Sequence, residues 1–263
     1  MTALRAVVVL AGVVVLAGAR AAAAPPPVPP SPPAATAVDR TLARIPFVTH
    51  GGRARRDVAL TFDDGPSEWT PRIATTLRRL HAPATFFEIG NQVPGLAATS
   101  RRLDRLGFVV GDHTETHPPM AHHRHGFQAY QVRRSANFIQ RAGVPYPRLF
   151  RPPYGSFNAT TLRVLREYRM LMVLWTNDTE DYAMPGVRHI LDAALAGLRP
   201  GGIILMHDGG GDRRQTLAAL PLLVRALRTR GYRLVTIPQM LADDPPSSHQ
   251  PIPDGLGPSA TTS

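Results

Sequence analysis

The sequence predicts an α/β fold built on a parallel sheet. Within residues 40 to 242, short runs of β-branched or aromatic residues alternate about seven times with longer amphipathic stretches. This alternation is typical of repeated βαβ units, in which each helix returns the chain to the same end of the sheet. The polar residues that stand out also follow the predicted strands. An open doubly wound sheet and a closed barrel share this pattern, and periodicity does not separate them.

Each predicted strand is a short apolar or β-branched run. The candidates are Val58 to Phe62, Ala84 to Ile89, Phe108 to Gly111, Arg148 to Phe150, Met170 to Trp175, Gly202 to Met206 and Arg233 to Ile237. Apolar residues at helical spacing, or a proline in a first turn, predict helices between them. The clearest are a helix opening at Pro71, Leu96 to Leu106, Phe127 to Ala142, and Thr216 to Arg230, which Pro221 interrupts.

The two ends of the chain differ from this core. Residues 1–24 hold an apolar run between Arg5 and Arg20, which is typical of a secretory signal peptide. A secreted protein, extracellular or associated with the cell wall, is therefore expected. No stable membrane span should remain after cleavage, and an uncleaved anchor is the alternative. Residues 25–39 predict a proline-rich linker, 40–242 a single domain and 243–263 a disordered tail.

Composition removes several classes of site. The chain has no cysteine, so disulfides, thiolate nucleophiles and cysteine-ligated metals are excluded. The formal net charge of +11 comes from arginine alone, since the chain has no lysine. These arginines are spread over most predicted helices, without a basic run interleaved with aromatic residues, so nucleic-acid binding is not expected. A partly acidic polymer such as a cell wall is a more natural neighbour.

Polar residues collect directly after the predicted strands. They are Asp63 and Asp64 after the first strand, His113 and His117 after the third, Arg151 after the fourth, Asp178 and Asp181 after the fifth, and His207 and Asp208 after the sixth. In parallel α/β folds the carboxyl ends of the strands meet on one face, where the loops handle substrates. An enzyme active site is therefore predicted on that face.

A metal site is predicted where two of these histidines lie four residues apart. His113 and His117 belong to Asp112-His113-Thr114-Glu115-Thr116-His117-Pro118, straight after an apolar strand. Two imidazoles and one carboxylate make a zinc site that keeps an open position for water. The same donor set also accepts cobalt, nickel or manganese. The expected cofactor is therefore a divalent metal, with zinc the first choice.

Five short motifs follow one another across most of the core. They are Thr61-Phe62-Asp63-Asp64-Gly65-Pro66, His113-Thr114-Glu115-Thr116-His117-Pro118, Arg151-Pro152-Pro153-Tyr154-Gly155, Trp175-Thr176-Asn177-Asp178-Thr179-Glu180-Asp181, and Ile203-Ile204-Leu205-Met206-His207-Asp208-Gly209. In this order they resemble the motifs of the polysaccharide deacetylases, also called the NodB-homology or carbohydrate esterase family 4. The resemblance implies a distorted (β/α) barrel of about seven strands as one catalytic domain, binding one divalent metal, usually zinc.

By position, the resemblance also implies roles for the residues around the metal. Asp64, His113 and His117 are implied as the ligands, and Asp63 as the general base. Arg151 is implied as the residue that orients Asp63. A carboxylate near a cation stays ionised, which agrees with a basic role for Asp63 at neutral pH.

The remaining roles concern the leaving group and the acyl group. His207 is implied as the general acid, with Asp178 as its charge partner. Tyr154 is implied to offer a backbone N–H to the oxyanion. Leu205 and Trp175 are implied to wall the pocket for the acetyl methyl group.

The activity that the resemblance implies is hydrolysis of N-acetyl groups on glycans that contain GlcNAc or MurNAc, such as peptidoglycan or chitin-like oligomers. One departure concerns pocket shape, since Tyr182 stands where many members have tryptophan. Three alternatives stay open: an O-acetyl esterase of the acetylxylan type, an inactive wall-binding module, and a phosphohydrolase. A phosphohydrolase would usually need a carboxylate that bridges two metals.

Overall fold

A single parallel sheet forms the frame of the protein. The computed structural model describes residues 36–258, so the predicted signal peptide and most of the predicted linker lie outside the described residues. Within that range the strands are β1 (Phe47–Val48), β2 (Asp57–Gly65), β3 (Ala84–Glu88), β4 (Val109–Asp112), β5 (Leu149–Phe150), β6 (Leu171–Val173), β7 (Asn177–Asp178), β8 (Gly202–His207) and β9 (Arg233–Leu234). Their order is β1-β6-β5-β4-β3-β2-β8-β7, with β9 beside β2.

Helices flank this sheet. They are α1 (Ala37–Leu42), α2 (Thr70–Arg79), α3 (Val93–Arg105), α4 (His125–Arg141), α5 (Ala159–Glu167), α6 (Val187–Leu195), α7 (Arg214–Thr229) and α8 (Ile237–Asp243). With the parallel sheet they make a distorted (β/α) barrel in one domain, which confirms the predicted fold class. Within residues 36–258, none of the helices combines the length and the apolar content needed to cross a membrane.

Within residues 36–258, the sequence located all but two of the strands. All seven predicted strands are present, including β5 and β9 with two residues each; β1 and β7, equally short, were not predicted, since two residues show no period. The second half of the predicted strand Arg233 to Ile237 is wrong, because α8 begins there. The Thr236 side chain accepts a hydrogen bond from the Gln239 backbone, and Pro238 lies in the first turn, so both residues favour a helix start.

The central strand β2 shows how the fold separates packing from chemistry. Consecutive side chains of a strand point to opposite faces. Val58, Leu60 and Phe62 are fully buried in a core cluster with residues of α2 and α7. Thr61 and Asp63 lie on the other face, toward the interior of the barrel. The last interior position of β2 is therefore a carboxylate at the carboxyl end of the sheet.

The C-terminal segment differs from the disordered tail expected for residues 243–263. The Gln250 side chain is buried, and its Oε1 accepts hydrogen bonds from the backbone N–H groups of Thr49 at 2.7 Å and His50 at 3.2 Å. Composition describes the average tendency of a segment, whereas the Gln250 amide is held by specific hydrogen bonds at its oxygen and at its nitrogen. Similarly, α1 begins at Ala37, inside the predicted linker. Residues 259–263 lie outside the described residues.

The fold predicts an unusual pH dependence of stability at Glu88, a fully buried residue at the end of β3. Burial raises the pKa of Glu88 from 4.5 to about 8, an increase that Ser100 opposes. A carboxyl whose pKa is higher in the folded state stabilises at low pH, and this stabilisation is lost as the pH rises through the folded pKa. Relative to wild type, Glu88→Gln should gain up to about 1.4 kcal/mol of unfolding free energy per pH unit as the pH rises from 4.5 to about 8.

Urea unfolding of both proteins between pH 4.5 and 8 measures this gain. Glu68→Gln is the matched control, because Glu68 is exposed and its replacement removes the same formal charge. If both variants changed equally with pH, the effect would not come from the burial of Glu88.

Candidate active site

A pocket of about 560 Å³ opens at the carboxyl ends of the strands. Nine of the ten residues predicted for the site line it, namely Asp63, Asp64, His113, His117, Tyr154, Trp175, Asp178, Leu205 and His207. Arg151 is the tenth, and it is fully buried with a hydrogen bond to Asp63. Residues from five separate motifs of the sequence therefore meet in one place.

Asp63 and Asp64 both face this pocket because β2 is irregular at its end. The pairing of β2 with β3 shifts register between Asp63 and Gly65, which leaves Asp64 as an extra residue. Asp64 also has a positive φ of 71°. Such a bulge re-aims side chains that would otherwise alternate between the two faces. Two adjacent carboxylates can therefore serve one site.

Arg151 fixes Asp63 from the interior of the barrel. Its guanidinium donates to Asp63 Oδ1 and to Thr61 Oγ1, both at 2.8 Å, and to the Val173 carbonyl oxygen at 3.1 Å. It also lies over the Phe87 ring, with Cζ 4.3 Å from the centroid. Asp63 Oδ1 is thus bonded to the buried guanidinium of Arg151. The other oxygen, Oδ2, lies 3.7 Å from His113 Nε2.

Asp64, His113 and His117 form the candidate metal centre. One possible ligand atom from each lies within 4.8 Å of the others. Asp64 Oδ1 is 3.5 Å from His113 Nε2 and 3.2 Å from His117 Nε2. Within residues 36–258, no other group of three His, Asp or Glu side chains is close enough to share an ion. The predicted triad is therefore assembled.

The surroundings of this triad fit a divalent cation. Asp64 Oδ1 is buried without a well-formed hydrogen bond among the described residues. His113 Nδ1 lies 2.7 Å from the Arg151 carbonyl oxygen, and His117 Nδ1 lies 3.1 Å from the Tyr154 hydroxyl. An engaged Nδ1 orients each ring and leaves Nε2 directed at Asp64, which is how metal-binding histidines are commonly held. Two imidazoles and a carboxylate also match the preference of zinc.

The electrostatics of the candidate metal centre predict that protons compete with a metal ion for its ligands. Burial would raise the pKa of Asp64, but His113 and His117 outweigh burial and hold this pKa far below its usual value. Burial would likewise lower the pKa of His113, but Asp63 and Asp64 raise it overall. A proton and a cation therefore compete for His113 Nε2, and metal affinity should fall as the pH decreases.

His207 is paired with Asp181, so the predicted pairing with Asp178 is wrong. His207 Nδ1 lies 2.7 Å from Asp181 Oδ1, and the His207 backbone N–H donates to Asp181 Oδ2 at 2.9 Å. Asp178 instead pairs in register with Leu205 and accepts the Glu180 backbone N–H at 2.9 Å. Glu180 has a left-handed backbone, with φ of 53°, and the turn it makes brings Asp181 against the end of β8.

Asp181 controls the protonation of His207. Burial alone would lower the pKa of His207, but the charge and the hydrogen bond of Asp181 raise it to about 9. Asp181 is itself 1% exposed, and it also accepts a hydrogen bond from Thr216 Oγ1 at 2.6 Å. Because Nδ1 is occupied, the second nitrogen of the ring is the one available to the pocket. The raised pKa favours the protonated imidazole at neutral pH in the metal-free protein.

Five further residues line the pocket, and three of them, Tyr182, Arg213 and Leu256, are not glycines. The Tyr182 ring, which the sequence singled out only for pocket shape, meets the His207 ring edge-on at a centroid distance of 5.4 Å. Arg213 is buried and donates to the Asp181 carbonyl oxygen at 3.3 Å. Its position in a glycine-rich loop after β8 was the available signal. Leu256 lies in the C-terminal segment, where no pattern pointed to the site.

Comparison with known proteins agrees with this geometry. The family model for polysaccharide deacetylase matches residues 50–173. The chain is 35% identical over 187 residues to a peptidoglycan-N-acetylglucosamine deacetylase of Bacillus cereus, which covers 70% of this chain and 87% of that protein. It is 36% identical over 199 residues to a chitooligosaccharide deacetylase of a Bradyrhizobium species, which covers 70% and 90%.

A solved structure is similar over a larger share of the chain. It is a peptidoglycan N-acetylglucosamine deacetylase in complex with 4-naphthalen-1-yl-N-oxidanyl-benzamide, with a TM-score of 0.73 and 30% identity. The match covers 80% of this chain and 97% of that one. The chain therefore belongs to the polysaccharide deacetylase family. It is an enzyme, a hydrolase of carbon–nitrogen bonds other than peptide bonds.

The pairing of His207 can be tested without a substrate. Asp181→Asn removes the carboxylate that stabilises the imidazolium, so the pKa of His207 should fall from about 9 to its ordinary value of 6.5 or below. NMR titration of the His207 ring in the metal-free protein measures the change. Asp178→Asn, the matched control, should shift this pKa much less. A larger shift of the His207 pKa in Asp178→Asn than in Asp181→Asn would support the pairing with Asp178 that the sequence predicted.

Proposed function

We propose that the protein is a metal-dependent N-deacetylase that removes acetyl groups from GlcNAc or MurNAc units of peptidoglycan or chitin-like glycans. The observation that carries the proposal is the presence of Asp63, His207 and the candidate metal centre in one pocket. Amide hydrolysis needs an activated water, a stabilised oxyanion and a proton for the departing amine. The names of the relatives from Bacillus cereus and Bradyrhizobium support the substrate class.

Asp64, His113 and His117 would hold the metal, with zinc as the first choice and cobalt, nickel or manganese as alternatives. When bound, the divalent ion supplies Lewis-acid polarisation of the acetamide carbonyl and activates water near neutral pH. The proposal gives the protein residues the tasks of placing the substrate and moving protons.

Asp63 is proposed as the general base. Its Oδ1 accepts a hydrogen bond from Arg151 at 2.8 Å, while Oδ2 lies 3.7 Å from His113 Nε2. Oδ2 is thus the oxygen beside the candidate metal centre, where the attacking water would lose its proton. The buried guanidinium compensates the charge of Asp63 and keeps its carboxylate in one orientation.

His207 is proposed as the general acid. Its Nδ1 is held by Asp181 at 2.7 Å, so Nε2 would deliver the proton to the nitrogen of the leaving amine. An amine is a poor leaving group without that proton. Asp181 raises the pKa of His207, which favours the charged imidazole before the reaction.

Three residues would place the acetyl group. Tyr154 has a left-handed backbone, with φ of 58°, next to His117 in the pocket wall, and its N–H is proposed to donate to the oxyanion. Leu205 and Trp175 line the same pocket with apolar surface, which is suited to a methyl group. The proposed place of action is outside the cytoplasm, because residues 1–24 carry the signal-peptide pattern.

The substrate class is tested by acetate release from N-acetylated chitooligosaccharides, from peptidoglycan and from acetylxylan. Release should occur from the N-acetylated glycans, disappear after chelation and return with zinc, since the ligands stay with the protein. Release from acetylxylan alone would assign the protein to O-acetyl ester hydrolysis. Metal binding without release from any of the three would support an inactive wall-binding module.

The catalytic roles are tested by His207→Ala and Asp63→Asn. Each should lower kcat at least about 100-fold on the glycan from which wild type releases acetate, because general acid or base catalysis contributes that much or more. His125→Ala and Asp192→Asn are matched controls at exposed sites. Near-normal turnover in either site variant would remove that residue from its proposed role. Zinc content of each variant, measured in parallel, separates lost chemistry from lost metal.

A further inference from the structure

The C-terminal strap, residues 244–258, crosses from α8 to the mouth of the pocket. Its first anchor is Gln250, whose buried side chain accepts the Thr49 backbone N–H at 2.7 Å and whose Nε2 donates to the Ser247 carbonyl oxygen at 3.1 Å. Its second anchor is a backbone hydrogen bond from Gly257 N–H to the Gly155 carbonyl oxygen at 2.9 Å. The strap is thus fixed at Gln250 and at Gly257, and the residues between these two anchors are held in place.

Leu256 is the side chain that the strap presents to the site. It lines the pocket together with Trp175 and Leu205, and it packs with Trp175 against the core cluster around Phe157. The surroundings of Gly155 show how closely Leu256 packs against the pocket wall. A Cβ on Gly155 would lie 2.5 Å from Leu256 Cδ2 and 3.2 Å from the Trp175 ring, so the glycine leaves the room that Leu256 fills.

We propose that Leu256 is a specificity-determining residue that completes the acyl pocket and limits it to an acetyl group. The proposal rests on the proposed deacetylase function. Leu205 and Trp175 come from the ordered motifs, whereas Leu256 comes from a segment about 80 residues further along the chain than Trp175 and after the last strand. With all three in place, a longer acyl chain meets packed apolar side chains where the acetyl methyl ends.

The size of the effect follows from methylene discrimination in apolar pockets. One methylene more or less in such a pocket changes specificity by about 10-fold to 200-fold. Leu256→Ala removes one apolar wall of the pocket and should open space for a propionyl group. The ratio of kcat/KM for N-propionyl over N-acetyl chitooligosaccharide should therefore rise by about 10-fold or more. Leu256→Phe should shift the ratio in the opposite direction and weaken turnover of the acetyl substrate.

Ile252→Ala is the matched control, because Ile252 is an apolar residue of the same strap with 44% of its surface exposed. Its acyl preference should equal that of wild type. Gln250→Ala removes the first anchor of the strap and should change acyl preference in the same direction as Leu256→Ala, although Gln250 does not line the pocket.

Packing is measured independently of turnover. The chain has 2 tryptophans, so Trp69→Phe leaves Trp175 as the sole tryptophan, which can be excited selectively. In that background, Leu256→Ala should move the emission of Trp175 to longer wavelength, while Ile252→Ala should not. An unchanged spectrum would contradict the contact on which the proposal depends.

The outcomes separate this proposal from the function on which it rests. Wild-type protein without acetate release would overturn the proposed function, and the pocket assignment with it. An active wild type whose Leu256→Ala variant keeps the same acyl ratio would overturn only the role of Leu256. A KM increase of equal size for every acyl length would also overturn it, since Leu256 would then contact the sugar and not the acyl group.

Discussion

The structure depends on one buried ion pair, that between Arg151 and Asp63. Arg151 is fully buried and donates to Asp63 Oδ1, to Thr61 Oγ1 and to the carbonyl oxygens of Val173, at the end of β6, and of Leu174. A buried charge without such partners would destabilise the fold by several kcal/mol. The barrel interior must therefore supply a carboxylate and oriented acceptors at the ends of β2 and β6. The same requirement holds Asp63 in one orientation, with its second oxygen directed toward the pocket.

This constraint explains how two adjacent aspartates acquire different tasks. Asp63 is committed to Arg151, and the bulge at the end of β2 turns Asp64 toward His113 and His117. A regular strand would send the second carboxylate to the helix-covered face. The proposed acid His207 is in register with Asp63 on the neighbouring strand β8. Pairing of two central strands thus sets the separation of the proposed base and acid.

Site residues at the ends of regular strands could be predicted from the sequence. Contacts that depend on the conformation of a turn could not. The strand ends that carry Asp63, His113 and Arg151 follow apolar runs, so their convergence could be predicted from the parallel sheet. The partner of His207 could not, because a left-handed turn decides whether Asp178 or Asp181 reaches it. Leu256 was also missed, since a proline-rich tail has no periodicity and two specific anchors, not average composition, hold it in place.

A crystal structure of the zinc-loaded protein would show whether the ion pair with Arg151 keeps Asp63 out of the metal coordination sphere. An anomalous difference map locates the ion without reference to the expected ligands. One peak is expected at about 2.0 to 2.2 Å from Asp64, His113 Nε2 and His117 Nε2. Asp63 should remain paired with Arg151 and outside the coordination sphere. A peak bound by Asp63, or zinc held elsewhere, would show that the pair with Arg151 does not separate the base from the metal ligands.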